Sequence, residues 1–226
     1  GIWQFKFSKQ DEVAPTPDPT TGSVSITKII ETDANSSEGF VKTVELYVSG
    51  TVDFANGDVV MNYQQNGDPF ADRQIDMTGL GTQTDSYVYL VRGLADMQEE
   101  FPSANLTSAN TIEVSSSTNG DDAYQMVIDG TITSQFGETD VDGTGTAWEH
   151  LDSYAERITG TAEDGTFNLS HWTVQPVNFL DDYGAYEGSA ALETVITLGN
   201  WIDTSTTSIT IPEDKKAQGV DKVIDT

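Results

Sequence analysis

The sequence contains no cysteine and only 2 histidines among its 226 residues, so thiol groups are absent and imidazole groups are scarce. The lack of cysteine excludes a disulfide framework, a thiol nucleophile and a thiolate metal site. No apolar run approaches the length of about 18 residues that a membrane-spanning helix requires. We therefore expect no membrane insertion.

Positive charge is also scarce, because 10 Lys and Arg residues stand against 37 Asp and Glu residues and leave a formal net charge of -27. An anionic surface repels phosphate backbones, which argues against nucleic-acid binding. Two interpretations of the acidic excess stay open. The carboxylates bind a cation, most plausibly Ca²⁺ with its preference for oxygen ligands, or they form a solvated surface suited to salty water, where screening weakens self-repulsion.

The composition favours β-structure over helices. Hydrophobic residues make up 36% of the chain, while Thr, Ser, Gly, Asp and Asn are abundant, which suits short strands joined by polar turns. Alternating or continuous apolar runs predict strands at residues 24–30, 40–48, 58–64, 87–92, 111–114, 124–128, 131–136, 192–198 and 208–211. Many short strands without a long helix predict an all-β sandwich.

Three local signals refine this prediction. Asp129-Gly130 lies between two predicted strands and is a strong signal for a two-residue hairpin, in which both turn residues have positive φ. Residues 96–101 are long enough for one helical turn. Residues 147–157 are expected to form a short helix or an irregular crossing.

The first ten residues form a separate amphipathic segment. Trp3, Phe5 and Phe7 alternate with polar residues, which is the period of a strand with one apolar face. Pro15, Pro17 and Pro19 follow and favour an extended, semi-rigid linker. We therefore expect three parts: an arm and linker at 1–22, a sandwich at 23–212, and a charged tail at 213–226.

Two functions of this arm stay open. Trp3, Phe5 and Phe7 pack on their own domain as an edge strand, or they add a strand to a neighbouring subunit. Head-to-tail strand donation does not close on itself, so it would produce a filament or another homo-oligomer.

Several phrases in the second half of the chain occur in a characteristic order. They are GDDAYQMVIDG at 120–130, FG at 136–137, DGTGTAW at 142–148, YAER at 154–157 and FNLSHW at 167–172. Together with VELY at 44–47, they resemble the bacterial lamin-tail domain family over roughly residues 23–182. In the first half the agreement is loose, since VSG follows VELY where the family usually has Asn.

The resemblance implies an immunoglobulin-like, antiparallel β-sandwich that carries no catalytic centre. Domains of this family occur beside secreted nucleases, phosphatases and adhesin-like proteins, as interaction modules. Within the shared phrases, Gly120 and Asp121 are expected to form a turn before a strand. Trp148, Tyr154 and Trp172 are expected to fill the core or its rim, with their polar groups bonded at the edge. Arg157 is expected to pair with an acidic residue such as Asp142 or Asp152.

Clustered carboxylates suggest candidate calcium sites. Residues 140–145 (DVDGTG) alternate Asp140 and Asp142 before a glycine, but they lack the closing bidentate Glu of an EF-hand. The pairs Asp121-Asp122 and Asp181-Asp182 are similar candidates, and all three sites are also ordinary turn sequences. No cofactor is certain, and Ca²⁺ is the one candidate.

No catalytic constellation accompanies the histidines. His150 lies between Glu149 and Asp152 in sequence, but no nucleophile elbow or phosphate-binding glycine loop is present, and we expect both His150 and His171 to be structural. The sequence therefore supports a non-enzymatic structural or adhesive protein, extracellular or at the cell surface, that assembles through its arm. The alternative is an accessory binding module of a secreted nuclease or other hydrolase.

Overall fold

The computed structural model describes residues 22–32, 41–56, 58–115, 118–161, 165–183 and 191–202. The strands in this part of the chain are β1 (Ser23–Glu31), β2 (Lys42–Asp53), β3 (Val59–Gln64), β4 (Gln74–Asp76), β5 (Thr82–Arg92), β6 (Thr111–Glu113), β7 (Ala123–Ile128), β8 (Thr131–Phe136), β9 (Ser153–Arg157) and β10 (Trp172–Val174). One α-helix, α1 (Leu94–Glu100), follows β5. No helix in the described ranges is long and apolar enough to cross a membrane.

The strands form two sheets that pack into an all-β sandwich. The larger sheet has the order β10-β9-β1-β2-β5-β6, and the smaller has the order β4-β3-β7-β8. Apolar side chains of both sheets meet in one core, among them Ile26 and Leu46 from the larger sheet and Met61, Met126 and Phe136 from the smaller. Pairing is antiparallel except between β5 and β6, which run parallel, so the expectation of a wholly antiparallel sandwich was wrong at this edge.

The larger sheet is covered on both faces. Its second face carries Ile30, Tyr89 and Val91, which form another apolar cluster with residues of α1 and of the irregular segments 179–183 and 191–198. Because both faces are buried, eight of the nine residues of β1 are buried, polar ones included. A strand between two apolar layers does not show simple alternation of exposed and buried residues.

The predicted hairpin is confirmed. Asp129 and Gly130 have φ values of 49° and 72° and connect β7 to β8, as the two-residue turn requires. The helical turn predicted at 96–101 is α1, which begins two residues earlier and ends one residue earlier than predicted. The turn predicted at Gly120 and Asp121 is also present immediately before β7.

Two predictions need correction. Residues 192–198 are not a strand: a 3-10 turn at Leu192–Thr194 precedes an irregular stretch whose Leu192 and Ile196 pack against the larger sheet. Of the two alternatives for residues 147–157, the irregular one holds for 147–152, which form turns, whereas residues 153–157 are strand β9, which pairs with β1. The arm with Trp3, Phe5 and Phe7, the predicted strand at 208–211 and the tail at 213–226 lie outside the described residues.

Candidate functional site

The sequence phrases that are far apart in the chain meet at one end of the sandwich. The Gly120 carbonyl accepts a hydrogen bond from the His150 N–H at 2.6 Å, and the Asp121 carbonyl accepts one from the Gly143 N–H at 3.0 Å. A side chain at Gly120 would be impossible without rearrangement, since its Cβ would lie 1.9 Å from the Leu151 nitrogen. This close approach gives the glycine of the first phrase a packing role.

Asp122 is a buried loop anchor. Its carboxylate accepts the N–H of Asn119 at 2.6 Å and the N–H of Asn66 at 3.0 Å, so it joins two loops. Burial, which penalises the charged form, raises the pKa of Asp122 to about 7, although these two N–H donors act in the opposite direction. Both oxygens of Asp122 are therefore already engaged within the protein.

Asp121 and Asp142 converge on Thr144. One oxygen of the Asp121 carboxylate accepts the Thr144 hydroxyl at 2.8 Å, and Asp142 accepts the Thr144 N–H at 2.9 Å. That N–H lowers the pKa of the exposed Asp142 carboxyl. The second oxygen of Asp121 is buried and has no hydrogen-bond partner among the described residues.

Asp140 lies in the same loop, and its backbone is bound by a residue outside that loop. The Asp140 N–H donates to the side chain of buried Gln64 at 2.8 Å, and the amide of Gln64 donates to the Val141 carbonyl at 2.9 Å. The Asp140 side chain is exposed, as are Asp181 and Asp182 in their turn. No three His, Asp or Glu residues of the described part are arranged to hold a metal ion, and calcium binding stays a prediction.

His150 is part of the core. Its ring packs edge-on against Phe136 at a centroid distance of 5.2 Å, and its Nδ1 lies 3.3 Å from the Trp148 carbonyl. Burial lowers the pKa of His150 to about 4, so the ring is neutral at pH 7. The predicted structural role of His150 agrees with this position, and His171 lies partly exposed in a 3-10 turn.

The predicted core aromatics are buried, but not all of their polar groups have a partner in the part of the chain that the structure describes. Trp148, Tyr154 and Trp172 are 1%, 6% and 6% exposed. The indole Nε1 atoms of Trp148 and Trp172 have no acceptor among the described residues, and the expected bonding of these indoles stays a prediction. Phe136 lies between these two rings and contacts both edge-on.

Arg157 is buried beside Trp172. Its Nε donates to the Ile26 carbonyl at 2.8 Å, and its guanidinium carbon lies 4.5 Å from the centre of the Trp172 ring. Such stacking is a favourable cation–π arrangement. The hydrogen bond and the ring contact support the structural role expected for Arg157. Its pairing with Asp142 or Asp152 stays a prediction.

Arg157 also lines a polar cavity that the sequence does not suggest. The cavity has a volume of about 210 Å³ and lies where β1, β9 and β10 meet the segment 200–201. Its walls come from Thr27, Lys28, Glu156, Arg157, Ile158, Thr159, Thr173, Asn200 and Trp201. No local pattern marks these residues, because they come from four separate segments.

Lys28 is the most buried charge of this cavity. It is 1% exposed, and its ammonium donates to the Thr197 carbonyl and, at 3.0 Å, to the Asn200 side chain. Glu156 lies 3.7 Å from the Lys28 ammonium. The carboxylate of the fully buried Glu45 accepts hydrogen bonds from the Thr27 hydroxyl and from the Gly199 N–H. Burial raises the pKa of Glu45.

We compared the chain with protein-family models, curated proteins and solved structures, and none of them matched.

Proposed function

We propose that the protein is a non-enzymatic structural or adhesive subunit, extracellular or at the cell surface, whose copies are joined by the strand at residues 1–10. In this proposal the body is an immunoglobulin-like sandwich of the lamin-tail type. The arm docks on a neighbouring copy, and repeated docking yields a filament. The body serves as the rigid unit of that assembly.

The observation that carries the proposal is the contrast between the arm and the rest of the chain. Residues 1–10 alternate apolar Trp3, Phe5 and Phe7 with polar residues, and they contain two lysines but no acidic residue. Removing these two positive charges from the net charge of -27 leaves -29 on residues 11–226. A basic segment with this amphipathic pattern is therefore complementary to the acidic body that would receive it.

A candidate acceptor edge is present on β5. The first part of β5, from Thr82 to Val88, pairs with β2 on one side. On the other side β6 reaches only Tyr89–Val91, so in the described ranges no strand pairs with the outer edge at 82–88. Strand addition at such an edge would use the main-chain groups left there.

The decisive test is a comparison of the full chain with arm variants. We expect the full chain to form oligomers or filaments in sedimentation velocity and electron microscopy. Deletion of residues 1–10, and the triple substitution Trp3→Ser, Phe5→Ser and Phe7→Ser, should leave monomers. A matched control, Gln4→Ser with Ser8→Gln, changes only the polar face and should assemble like the full chain.

Two results would contradict this proposal. Oligomers that persist unchanged after the deletion would show that self-association does not depend on residues 1–10. A monomeric full chain whose melting temperature falls on the triple substitution would show that the arm packs on its own domain. The acceptor edge has its own check: because the chain has no cysteine, a Ser8→Cys chain mixed with a Thr82→Cys chain should form a mixed disulfide.

A second candidate is favoured by the cavity at Lys28 and Arg157. This cavity is a concave polar site in which a small ligand could be held, as a binding module requires. This supports the accessory module of a secreted nuclease or other hydrolase as the alternative. A purified monomer that binds a soluble ligand in this cavity, and does not self-associate, would favour the second candidate over the first.

A further inference from the structure

Lys28 is a buried amine held against a carboxamide. Two lysines lie in the described ranges, and Lys28 is 1% exposed. Its Nζ lies 3.0 Å from the Oδ1 atom of Asn200 and also donates to the Thr197 carbonyl. Because Oδ1 is bonded directly to Cγ, this contact holds the amine beside the carbonyl carbon of Asn200. Such positioning of a nucleophile against its electrophile is the main requirement for a reaction between two side chains.

Two carboxylates flank this amine on the neighbouring strands. In the register of the larger sheet, Lys28 lies directly opposite Glu45 on β2 and directly opposite Glu156 on β9. Side chains in such cross-strand positions share one face of the sheet. Glu156 lies 3.7 Å from Nζ and has 35% of its side chain exposed, whereas Glu45 is 0% exposed. Lys28 therefore has a partly exposed carboxylate on one side and a fully buried one on the other.

Glu45 is the carboxylate better suited to carry a proton. It accepts hydrogen bonds from the Thr27 hydroxyl at 2.8 Å and from the N–H of Gly199, the residue before Asn200, at 2.6 Å. Burial raises the pKa of Glu45, although the charge of Lys28 acts in the opposite direction. A buried carboxylate accepts a proton from an ammonium group more readily than an exposed one, because the transfer neutralises both charges.

We propose that Lys28 and Asn200 join in an intramolecular isopeptide bond, with Glu45 as the proton carrier. The Lys28 ammonium passes one proton to the Glu45 carboxylate, and the neutral Nζ attacks Cγ of Asn200. A second proton moves from Nζ to the amide nitrogen as the Cγ–Nδ2 bond breaks. The products are an Nζ–Cγ amide and ammonia, and the first proton stays on Glu45 or leaves with ammonia as ammonium. The reaction consumes no oxidant and no further reactant.

The surroundings give the leaving group a path to water. Asn200 is exposed, and the polar cavity of about 210 Å³ borders both Lys28 and Asn200. Ammonia released from Asn200 therefore enters solvent and does not stay beside the new bond. Its dilution makes the reverse reaction negligible.

The bond would tie β1, the first described strand, to 191–202, the last described segment, across 172 residues. A cross-link between residues this far apart stabilises the folded state chiefly by restricting the unfolded chain, as a disulfide does. Since the sequence has no cysteine, no disulfide can supply such a tie. The inference does not rest on assembly through the arm, and a chain without residues 1–10 should carry the same bond.

Mass spectrometry of the purified, denatured full chain tests the proposal. The intact mass should lie about 17 Da below the mass calculated from the sequence, because one ammonia is lost. A tryptic digest should contain a branched species in which residues 10–42 are joined to residues 158–215, since trypsin does not cleave after a modified lysine. The branch is the decisive observation, because cyclisation at an Asn-Gly sequence such as Asn66-Gly67 loses ammonia without joining two segments.

Variants assign the roles. Lys28→Arg keeps the charge but removes the primary amine, and Asn200→Ser removes the carboxamide at an exposed position, which keeps the test valid if the arginine variant does not fold. Both should lack the branched species and melt at a lower temperature than the wild type. Glu45→Gln, once folding is verified by circular dichroism, should also stay unlinked. Lys42→Arg is the matched control, at a lysine that is likewise buried and paired with Glu31, and it should keep the branch.

Three outcomes would overturn the inference. The first is a full chain of the calculated mass without a branched species, which would leave Lys28 with non-covalent contacts alone. The second is a branched species that persists in Lys28→Arg or Asn200→Ser, which would assign the bond to other residues. The third is a folded Glu45→Gln variant with as much branched species as the wild type, which would show that Glu45 does not carry the proton.

Discussion

At the scale of single residues, His150 shows how burial turns a candidate acid-base group into a core side chain. The ring is fully buried, packs against Phe136 and keeps its Nε2 without a hydrogen-bond partner among the described residues. The two acidic residues near it in sequence make their printed contacts elsewhere: the Glu149 carboxylate accepts a hydrogen bond from the Gly145 N–H, and the backbone N–H of Asp152 donates to the Glu31 carboxylate. Sequence neighbours therefore did not predict the surroundings of this side chain.

This burial predicts a pH-dependent stability that His150→Gln should remove. Because burial lowers the folded-state pKa from 6.5 to about 4, the unfolded chain binds a proton first as pH falls. The free energy of unfolding of the wild type should fall relative to the variant between pH 6.5 and 4, by roughly 3 kcal/mol in total. Urea unfolding at a series of pH values measures this difference.

The control for that experiment is His171→Gln, at the partly exposed histidine in a 3-10 turn. Its unfolding curves should follow those of the wild type across the same pH range. Titration of other groups, including Asp122, is common to all three proteins and cancels in the comparison. A wild type and a His150→Gln variant whose stabilities change in parallel with pH would show that His150 is not held neutral.

At the scale of elements, a β-bulge in β1 connects the two sheets. The register of β1 against β2 shifts between Ile26 and Lys28. The Ile26 N–H donates to the hydroxyl of Ser134 on β8, at 2.9 Å, while the Ile26 carbonyl accepts a hydrogen bond from the Arg157 Nε. The bulge thus lets one residue of the larger sheet bond to a side chain of the smaller one.

Ser134→Ala should destabilise the protein through this contact. The substitution leaves the buried Ile26 N–H without its acceptor, which costs about 1–3 kcal/mol. Chemical unfolding measures the loss, and amide exchange at Ile26 should accelerate. Thr131→Ala, at an exposed position of the same strand, should change stability by no more than about 0.5 kcal/mol. Equal effects of the two substitutions would mean that the bond between the sheets contributes nothing.

Element prediction from the sequence succeeded where local pattern and local structure coincide. The strands near 59–64, 123–128 and 131–136 and the Asp129-Gly130 turn were predicted within a residue or two. The prediction of a strand at 192–198 was wrong because the apolar residues Leu192 and Ile196 pack against the larger sheet from an irregular segment and are not part of a paired strand. The short strands β4 and β10 have too few residues for any period to be visible.

At the scale of the whole molecule, the net charge of -27 should make stability depend on salt. Self-repulsion between carboxylates is screened as the Debye length shortens, from about 30 Å at 0.01 M to about 10 Å at 0.1 M salt. We expect the melting temperature to rise as NaCl is increased through this range and then to level off. A melting temperature that is unchanged or falls with NaCl would contradict this prediction.

Calcium is separable from screening in the same experiment. At matched ionic strength, CaCl₂ should raise the melting temperature further if Asp121 and Asp142 bind the ion. Binding at 100 times the dissociation constant adds about 2.7 kcal/mol. Asp142→Asn should then abolish the additional rise, whereas Asp182→Asn, at an exposed position of another turn, should keep it. Identical melting temperatures in NaCl and CaCl₂ at matched ionic strength would show that the protein does not bind Ca²⁺.

The sequence by itself determined the class of fold, because strand periodicity, turn residues and the scarcity of helix formers are local properties of the chain. It also marked Gly120, Trp148 and Trp172 as structural positions. Only the tertiary structure decided which segments meet. Lys28 and Asn200 are 172 residues apart and share one hydrogen bond, and the cavity beside them is built from four segments. Contacts over such separations depend on sheet order and on coverage of both faces of the larger sheet, and no local pattern encodes either.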